Sequence, residues 1–337
     1  MERAKLPEIV VVTPVLNDWA SFQTLLDRLD TRLAGHCARL KIVAVNDGSA
    51  LSPPIHLERS YRTIRSVEIL DLAVNLGHQR AIAVGLAHAS RLKPDCVVVM
   101  DSDGEDKPED VVYLATRFAA EPNHIHVVER GRRSETFGFR LFYFFYKLAF
   151  FFGTGTKIAH GNFCLIPGRS LQGLLHSPNT WNNLAASIVR SRLPYLACKM
   201  DRGVRYEGRS QMSFTGLLLH GMSAVSVYLD IVTARLLIGS GFLLALLVAA
   251  MLSVLGIRFF TDLAIPGWTT AAAGIISIII LQIVLLASSV LFTLLHNRGQ
   301  MLAVPAKMAE IYVLAARTVY GANPRPELTA SMGRTRL

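Results

Sequence analysis

Asp101-Ser102-Asp103 closes the strand-like run Cys96-Val97-Val98-Val99-Met100. Two carboxylates one residue apart, at the end of a buried strand, make a seat for a hard divalent cation carrying a diphosphate. Such ions take one or two protein carboxylates and fill their remaining positions with phosphate oxygens and water. A second polar cluster, Asn46-Asp47-Gly48-Ser49, ends another apolar run and is also good turn chemistry. Farther along, Glu129-Arg130 with Arg132-Arg133, and later Arg205 and Arg209, supply guanidinium groups that can grip a phosphate through paired hydrogen bonds. For Arg130, Arg132 and Arg133 a solvated basic turn is the competing reading.

The elements that must position these groups follow from periodicity. Glu8 to Thr13 reads as a short β-branched buried strand, Ala20 to Leu33 as a helix with Phe22, Leu25, Leu26 and Leu29 on one face. Lys41 to Val45, Val67 to Leu70 and Cys96 to Met100 read as further strands, with a helix from about Arg80 to Ser90. Strands alternating with helices predict an α/β fold with a mostly parallel sheet, whose ligands sit at the strands' carboxyl ends. Each polar cluster named above in the first 110 residues falls at such an end.

The back of the chain is different. Phe137 to Phe152 is dense in aromatics and reads as an interfacial helix, with a plain core helix as the alternative. Gly208 to Val232 has amphipathic spacing. Leu236 to Leu255 is roughly one bilayer thickness of uncharged helix at about 1.5 Å per residue. Thr269 to Leu295 is a second such stretch, broken only by Gln282, and Pro266-Gly267 turns the chain between them. From Gln300 the tail holds one more amphipathic pattern, Ala306 to Tyr320, and then a polar end expected to be disordered.

Among 337 residues the formal net charge is +10. It does not come from the front: the first 120 residues carry 14 Lys+Arg and 16 Asp+Glu, whereas residues 121–235 carry 14 and 6. A basic zone beside apolar spans fits anionic lipid better than nucleic acid, for which no zinc-finger, helix-turn-helix or aromatic-basic motif is present. The four cysteines, Cys37, Cys96, Cys164 and Cys198, are far apart and read as reduced. Ile9 to Val12 is too short for a signal-peptide core, and the flanking charges weakly favour both ends of the apolar hairpin in the cytoplasm.

Four motifs carry a resemblance. Thr13-Pro14-Val15-Leu16-Asn17-Asp18, Asn46-Asp47-Gly48-Ser49, Asn75-Leu76-Gly77-His78-Gln79-Arg80-Ala81 and Met100 to Glu109 stand in the order and spacing of family 2 glycosyltransferases with a GT-A fold. The apolar hairpin resembles the branch that includes dolichol- and polyprenyl-phosphate sugar transferases, and the likeness covers roughly residues 8–296. It implies a cytosolic GT-A catalytic domain over 1–213 with an interfacial helix at about 137–152. An amphipathic interfacial helix at 214–234, a transmembrane hairpin at 235–296 (spans at about 236–257 and 269–295) and a cytoplasmic tail at 297–337 would follow.

The resemblance also assigns roles. Mg²⁺ or Mn²⁺ would sit on Asp103, with Asp101 supporting it or touching the ribose, and with Glu105, where the family often has Gln, as a further ligand. Capping of the next helix is the competing role for Asp101 and Asp103. Asp47 would read a pyrimidine base, Pro14 and Asp18 would flank base and ribose, and Gly77, Gln79 and Ser102 would line the nucleotide. Leu16 replaces the usual Tyr, Asn46 the usual first Asp of its motif, and Gln211 a common Lys. Arg130 and Arg133 would hold an acceptor phosphate, and Arg205 and Arg209 the donor diphosphate or the acceptor phosphate.

In His160-Gly161-Asn162-Phe163, relatives often carry Asp where Asn162 stands. An amide cannot serve as a general base, which matters little if the acceptor is a phosphate whose oxygen is already ionised. The expected protein is an integral membrane enzyme, catalytic domain in the cytoplasm, of a bacterial plasma membrane. It would move one sugar, with inversion, from a UDP- or GDP-linked donor to a lipid phosphate such as polyprenyl phosphate, and homo-oligomers are compatible with this. The alternatives are a GT-A enzyme with another lipid or glycan acceptor, and a non-catalytic membrane scaffold that retains the fold.

Overall fold

The computed structural model describes residues 6–53, 59–130, 147–207, 221–299 and 303–321. They divide into two compact units, one formed by residues 1–135, 158–227 and 303–337, the other by 136–157 and 228–302.

The first unit is built on an eight-stranded sheet. In chain order its elements are β1 (Glu8–Val15), α1 (Trp19–Arg32), β2 (Arg39–Asn46), β3 (Ile64–Leu72), α2 (His78–Arg91), β4 (Cys96–Val99), α3 (Pro108–Ala120), β5 (Ile125–Arg130), β6 (Cys164–Pro167), α4 (Gly168–Leu175), α5 (Leu184–Ser191) and β7 (Tyr195–Met200). The strand β8 (Val313–Tyr320) follows from the far end of the chain. The sheet order is β7-β5-β6-β4-β1-β2-β3-β8. Strands β4, β1, β2 and β3 are parallel, while β6 and β8 run antiparallel to their neighbours.

Alternation along β1 explains why the sheet is covered on both faces. Ile9 and Val11 pack with Ile42 and Val98 against Phe22, Leu25, Leu26 and Leu29 of α1 and Val111 and Leu114 of α3. Val10 and Val12 face the other way, with Val43, Val45 and Val97, against Ile82 and Leu86 of α2 and Leu171 and Leu174 of α4. Each such large side chain contributes about 1.5–3 kcal/mol of transfer energy, and Leu25→Ala would cost about 2–5 kcal/mol. The order of strands reverses at β1, which pairs with β2 on one side and β4 on the other. The carboxyl ends of those three strands therefore open one crevice, the place where parallel sheets bind ligands.

The tail departs from expectation. Residues 306–320 do not form one amphipathic helix: a short turn at Pro305–Met308 and a 3₁₀ turn at Ala309–Tyr312 lead into β8. The exposed edge of β3 is the reason, since its unpaired backbone groups accept a partner strand. The β-branched and aromatic residues Val313, Thr318, Val319 and Tyr320 suit that role. The chain thus returns to the sheet of the first unit.

In the second unit, residues 147–154 are helical. The helices α6 (Leu229–Phe260) and α7 (Trp268–Gly299) follow. Each has 32 residues, longer than the spans expected at about 236–257 and 269–295. Both are long and apolar enough to cross a membrane, with mean hydropathies of 2.4 and 2.7 over their apolar stretches, no part of which is buried within the protein. The amphipathic helix expected at 214–234 is not one element. Residues 221–226 are helical, a turn intervenes at 227–228, and 229–234 begin α6; residues 214–220 lie outside the described residues. So do 137–146 of the aromatic run. Arg235 Nη1 donates to the Phe152 carbonyl at 2.7 Å, which ties the first turns of α6 to the helix at 147–154.

Candidate active site

The loop after β4 is folded around its own carboxylates. The Asp101 N–H donates to Asp106 Oδ2 at 2.8 Å, and the Glu105 N–H donates to Asp103 Oδ1 at 2.9 Å. Ser102 is buried, its hydroxyl 3.5 Å from the Pro14 carbonyl, so the loop leans on the end of β1. Gly104 turns the chain at φ +91°, and the Tyr206 ring packs so closely over it that an added Cβ would lie 2.6–2.8 Å from ring carbons. Only glycine fits there.

Three arginines meet this acidic loop. Arg205 pairs with Asp103 and approaches Glu105 at 3.4 Å. Arg202 pairs with Glu105, and Arg130 pairs with Asp106 and stands 3.9 Å from Glu105. The segment 202–206 is strapped on by its backbone as well, with Gly203 N–H donating to the Glu105 carbonyl and Tyr206 N–H to the Asp103 carbonyl, both at 2.9 Å. A side chain at Gly203 would collide with the Gly104 carbonyl oxygen.

Burial raises the Asp103 carboxyl above the usual range, the charge of Asp101 adds to this, and Arg205 and Arg130 oppose it. Asp106 is 2% exposed and is raised further, first by burial and then by Asp101. Taking a carboxylate out of water favours its neutral form, and the arginines are what keep these groups ionisable.

Asp101 Oδ1 is buried with no hydrogen-bond partner, with only His78 Nε2 at 3.4 Å. An orphaned carboxylate oxygen beside a second buried carboxylate is the donor set a hard cation takes, so Asp101 and Asp103 fit Mg²⁺ or Mn²⁺. Glu105, the expected third ligand, shares Arg205 with Asp103. Glu105 is held by Arg202 and Arg205, and among the described residues no three acidic, His or Cys side chains form a ready cation cluster.

The nucleotide-side residues are placed at the ends of β1 and β2. Asp47 is 3% exposed, and its Oδ1 accepts the Leu76 N–H at 2.7 Å, clamping the Asn75–Gly77 loop. Burial raises its carboxyl, opposed by backbone donors at Leu76 and Gly77. Gly77, at φ +84°, opens α2. Gln79 does not line an open nucleotide surface: it is buried, and its Oε1 accepts the Leu184 N–H at 3.0 Å, joining α2 to the start of α5. Pro14 is buried in β1. Asp18 precedes α1 without capping it through its side chain. Leu16, where an aromatic is common in the resembled family, is 49% exposed at the crevice rim.

Arg130, expected at an acceptor phosphate, and Arg205, expected at the diphosphate or the acceptor phosphate, both pair with the acidic loop. Arg133, Arg209 and Gln211 lie outside the described residues. Arg202 was not singled out from sequence; its signal was a basic residue three positions before Arg205 in a Gly-containing segment. His160 is buried, its Nδ1 3.0 Å from the Gly161 carbonyl and its Nε2 without a partner.

A helix-flanked, mostly parallel sheet that carries an acidic loop at its switch point is the arrangement of a GT-A fold. Residues 10–172 match the family described as Glycosyl transferase family 2, so the chain carries a family 2 domain and is a glycosyltransferase. It is 27% identical over 235 residues to the uncharacterized glycosyltransferase YkoT of Bacillus subtilis, covering 66% of this chain and 68% of that one. To YkcC of the same organism it is 25% identical over 301 residues, covering 86% and 87%. An undecaprenyl-phosphate 4-deoxy-4-formamido-L-arabinose transferase of Salmonella choleraesuis is 24% identical over 137 residues, 40% of this chain and 41% of that one. Among solved structures, glucosyl-3-phosphoglycerate synthase from Mycobacterium tuberculosis, in complex with Mn²⁺, UDP-glucose and phosphoglyceric acid, gives a TM-score of 0.48. The identity is 16%, over 67% of this chain and 80% of that one.

Proposed function

We propose that this glycosyltransferase moves a single sugar from a UDP- or GDP-linked donor to a membrane lipid phosphate of the polyprenyl type. The observation that carries the reading is the strap: Arg202 and Arg205 are bonded onto the acidic loop by a segment that leads, in sequence, toward two long apolar helices. The relative that acts on undecaprenyl phosphate supports the acceptor class.

In this reading the donor base and ribose occupy the crevice at Pro14–Asp18, Asp47 and Gly77, and the diphosphate reaches the Asp101–Asp103 loop. A divalent cation held by Asp101 and Asp103 would supply charge compensation for the departing diphosphate. Arg205 turns from Asp103 toward the phosphates, and its planar fork suits two of their oxygens. The acceptor phosphate needs alignment rather than deprotonation, because its oxygen is already anionic at neutral pH, and Asn162 is no handicap to that chemistry. Attack from the face opposite the leaving group inverts the anomeric centre.

Membrane placement has its own support. The chain leaves the first unit before α6 and rejoins it at β8, so a hairpin of two crossings keeps both ends on one side of a bilayer. The basic residues flanking the hairpin, Arg235 before it and Arg298 and Lys307 after it, support the cytoplasm as that side.

The test is mass spectrometry of lipid products after incubating the purified full-length protein with undecaprenyl phosphate, diacylglycerol, Mn²⁺ and a panel of UDP- and GDP-sugars. The expected product is a glycosylated undecaprenyl phosphate formed from one donor. Sugar found on diacylglycerol, or on no lipid, overturns the acceptor assignment.

A further inference from the structure

A continuous set of hydrogen bonds joins β8, beyond the apolar hairpin, to the loops at the carboxyl ends of β1 and β2. Arg317 donates to Asp71 Oδ2 from Nε at 2.8 Å and from Nη2 at 2.7 Å. The other oxygen of Asp71 accepts Asn46 Nδ2 at 2.8 Å. Asn46 Oδ1 in turn accepts the Ser49 N–H at 3.0 Å, and the Ser49 hydroxyl accepts the Asn17 N–H at 2.9 Å. Asn17, held in the left-handed region at φ 57°, closes the set by accepting the Leu51 N–H at 3.1 Å.

The register makes this arrangement specific. Asn46 lies directly opposite Asp71, and Arg317, opposite Ile69, is the diagonal neighbour of Asp71 on the other side. The Asp71 side chain is 13% exposed, so its charge is largely withdrawn from water and needs partners. Residue 46 must give a hydrogen to Asp71 and accept one from Ser49 at the same time. An amide does both, whereas a carboxylate would face Asp71 with like charge. Asn46, standing where the resembled family usually has Asp, suits a site whose carboxylate is at Asp71, and Arg317 pairs with that carboxylate.

We infer that Arg317 and Asp71, acting through Asn46, are positioning residues for the nucleoside end of the donor site. The inference rests on the donor reading above. Nothing in the set touches the reacting atoms. It fixes Asn17 and Ser49, and with them the two loops between which a base would insert, so a strand from beyond the apolar hairpin sets donor affinity.

Calorimetric titration of the full-length protein in detergent, with UDP and with GDP in the presence of Mn²⁺, tests this. Asn46→Asp and Asp71→Asn are each expected to weaken the nucleotide that wild type binds by about tenfold, the usual consequence of losing one charge-assisted hydrogen bond. The double exchange restores donor, acceptor and charge with the two side chains swapped. It is expected to return affinity to within about threefold of wild type. Arg317→Gln should weaken binding by a similar tenfold factor while the melting temperature stays within about 3 °C, which separates positioning from plain loss of fold.

Single variants that bind as wild type does, or a double exchange as weak as either single, overturn the relay alone. If a single exchange unfolds the protein, recovery or failure of binding in the double exchange still decides. Wild-type protein that binds neither nucleotide overturns the donor reading and the relay together.

Discussion

Arg205 pairs with Asp103 across 102 positions of sequence, and the same guanidinium lies 3.4 Å from Glu105. The contact joins the acidic loop at the heart of the sheet to the segment that leads toward the apolar helices. Both partners are mostly buried, with side chains 27% and 12% exposed, so the pair is shielded from salt and from competition by water. It gives the loop a fixed shape while placing a cation where diphosphate charge would arrive.

Replacing either partner separates ion binding from phosphate handling. Asp103→Asn keeps the acceptor for the Glu105 N–H but removes a charged ligand. Its kcat/KM is expected to fall by at least about 100-fold, comparable with deleting a group that meets developing charge. Mn²⁺-dependent nucleotide binding should be lost with it by calorimetry. Arg205→Ala is expected to lower kcat by about 10- to 100-fold, and Arg205→Lys to recover only part, since a point charge lacks the guanidinium fork. An Asp103→Asn enzyme with wild-type metal dependence would refute this assignment.

Gly203→Ala tests the strap without touching a charge. The new methyl meets the Gly104 carbonyl oxygen, so the Gly203–Glu105 backbone hydrogen bond must break or lengthen. The core is remote from this position, and the melting temperature is expected to hold within about 3 °C. Sugar transfer should fall about tenfold or more, in line with the penalty for misplacing a positioned group. Unchanged transfer would show that Arg202 and Arg205 need no backbone anchor.

The front of the fold was legible because strand-period and helix-period patterns agree there with burial on both faces. The four apolar runs and two helices from Glu8 to Met100 lie within a few residues of where periodicity put them. What misled was Ala306 to Tyr320, whose Ala-rich pattern suits a helix until the free edge of β3 competes for it. The candidate site was legible as motifs but not as pairings. Asp101 and Asp103 announce themselves, whereas Glu105 with Arg202, Asp106 with Arg130, and Asp71 with Arg317 join residues 24 to 246 positions apart. No local pattern encodes such contacts. Gln79 shows the converse: a motif residue whose amide serves α5 instead of an open cleft.

Asp106 and Arg130 form the most buried ion pair facing the site, with side chains 1% and 22% exposed. Removing one partner strands the other, so Asp106→Ala is expected to destabilise by about 3 kcal/mol, and Arg130→Ala by a comparable amount. The Asp106 loss includes the acceptor for the Asp101 N–H. The double variant should cost less than the sum of the singles by about 1–3 kcal/mol, as coupled neighbours do. Denaturant unfolding in detergent measures all three, and strict additivity would mean the pair does not interact.

The buried histidines give a pH dependence whose direction can be worked out. Burial lowers the imidazole of His160 below its ordinary value, although its hydrogen bond to the Gly161 carbonyl and the charge of Glu129 oppose this. Burial lowers His126 likewise, opposed mainly by the Glu121 carbonyl. As pH falls through about 6.5 the unfolded chain takes up protons that the folded protein refuses, so the unfolded state gains and stability drops. The raised carboxyls of Asp103 and Asp106 act in the opposite sense, because there the folded state holds the extra proton. The histidine contribution is therefore read as a difference between variants. His160→Gln is expected to lose less melting temperature between pH 7.5 and pH 5.5 than wild type does, even if it starts lower at pH 7.5. A variant whose acid sensitivity matches wild type would show that His160 protonates freely while folded.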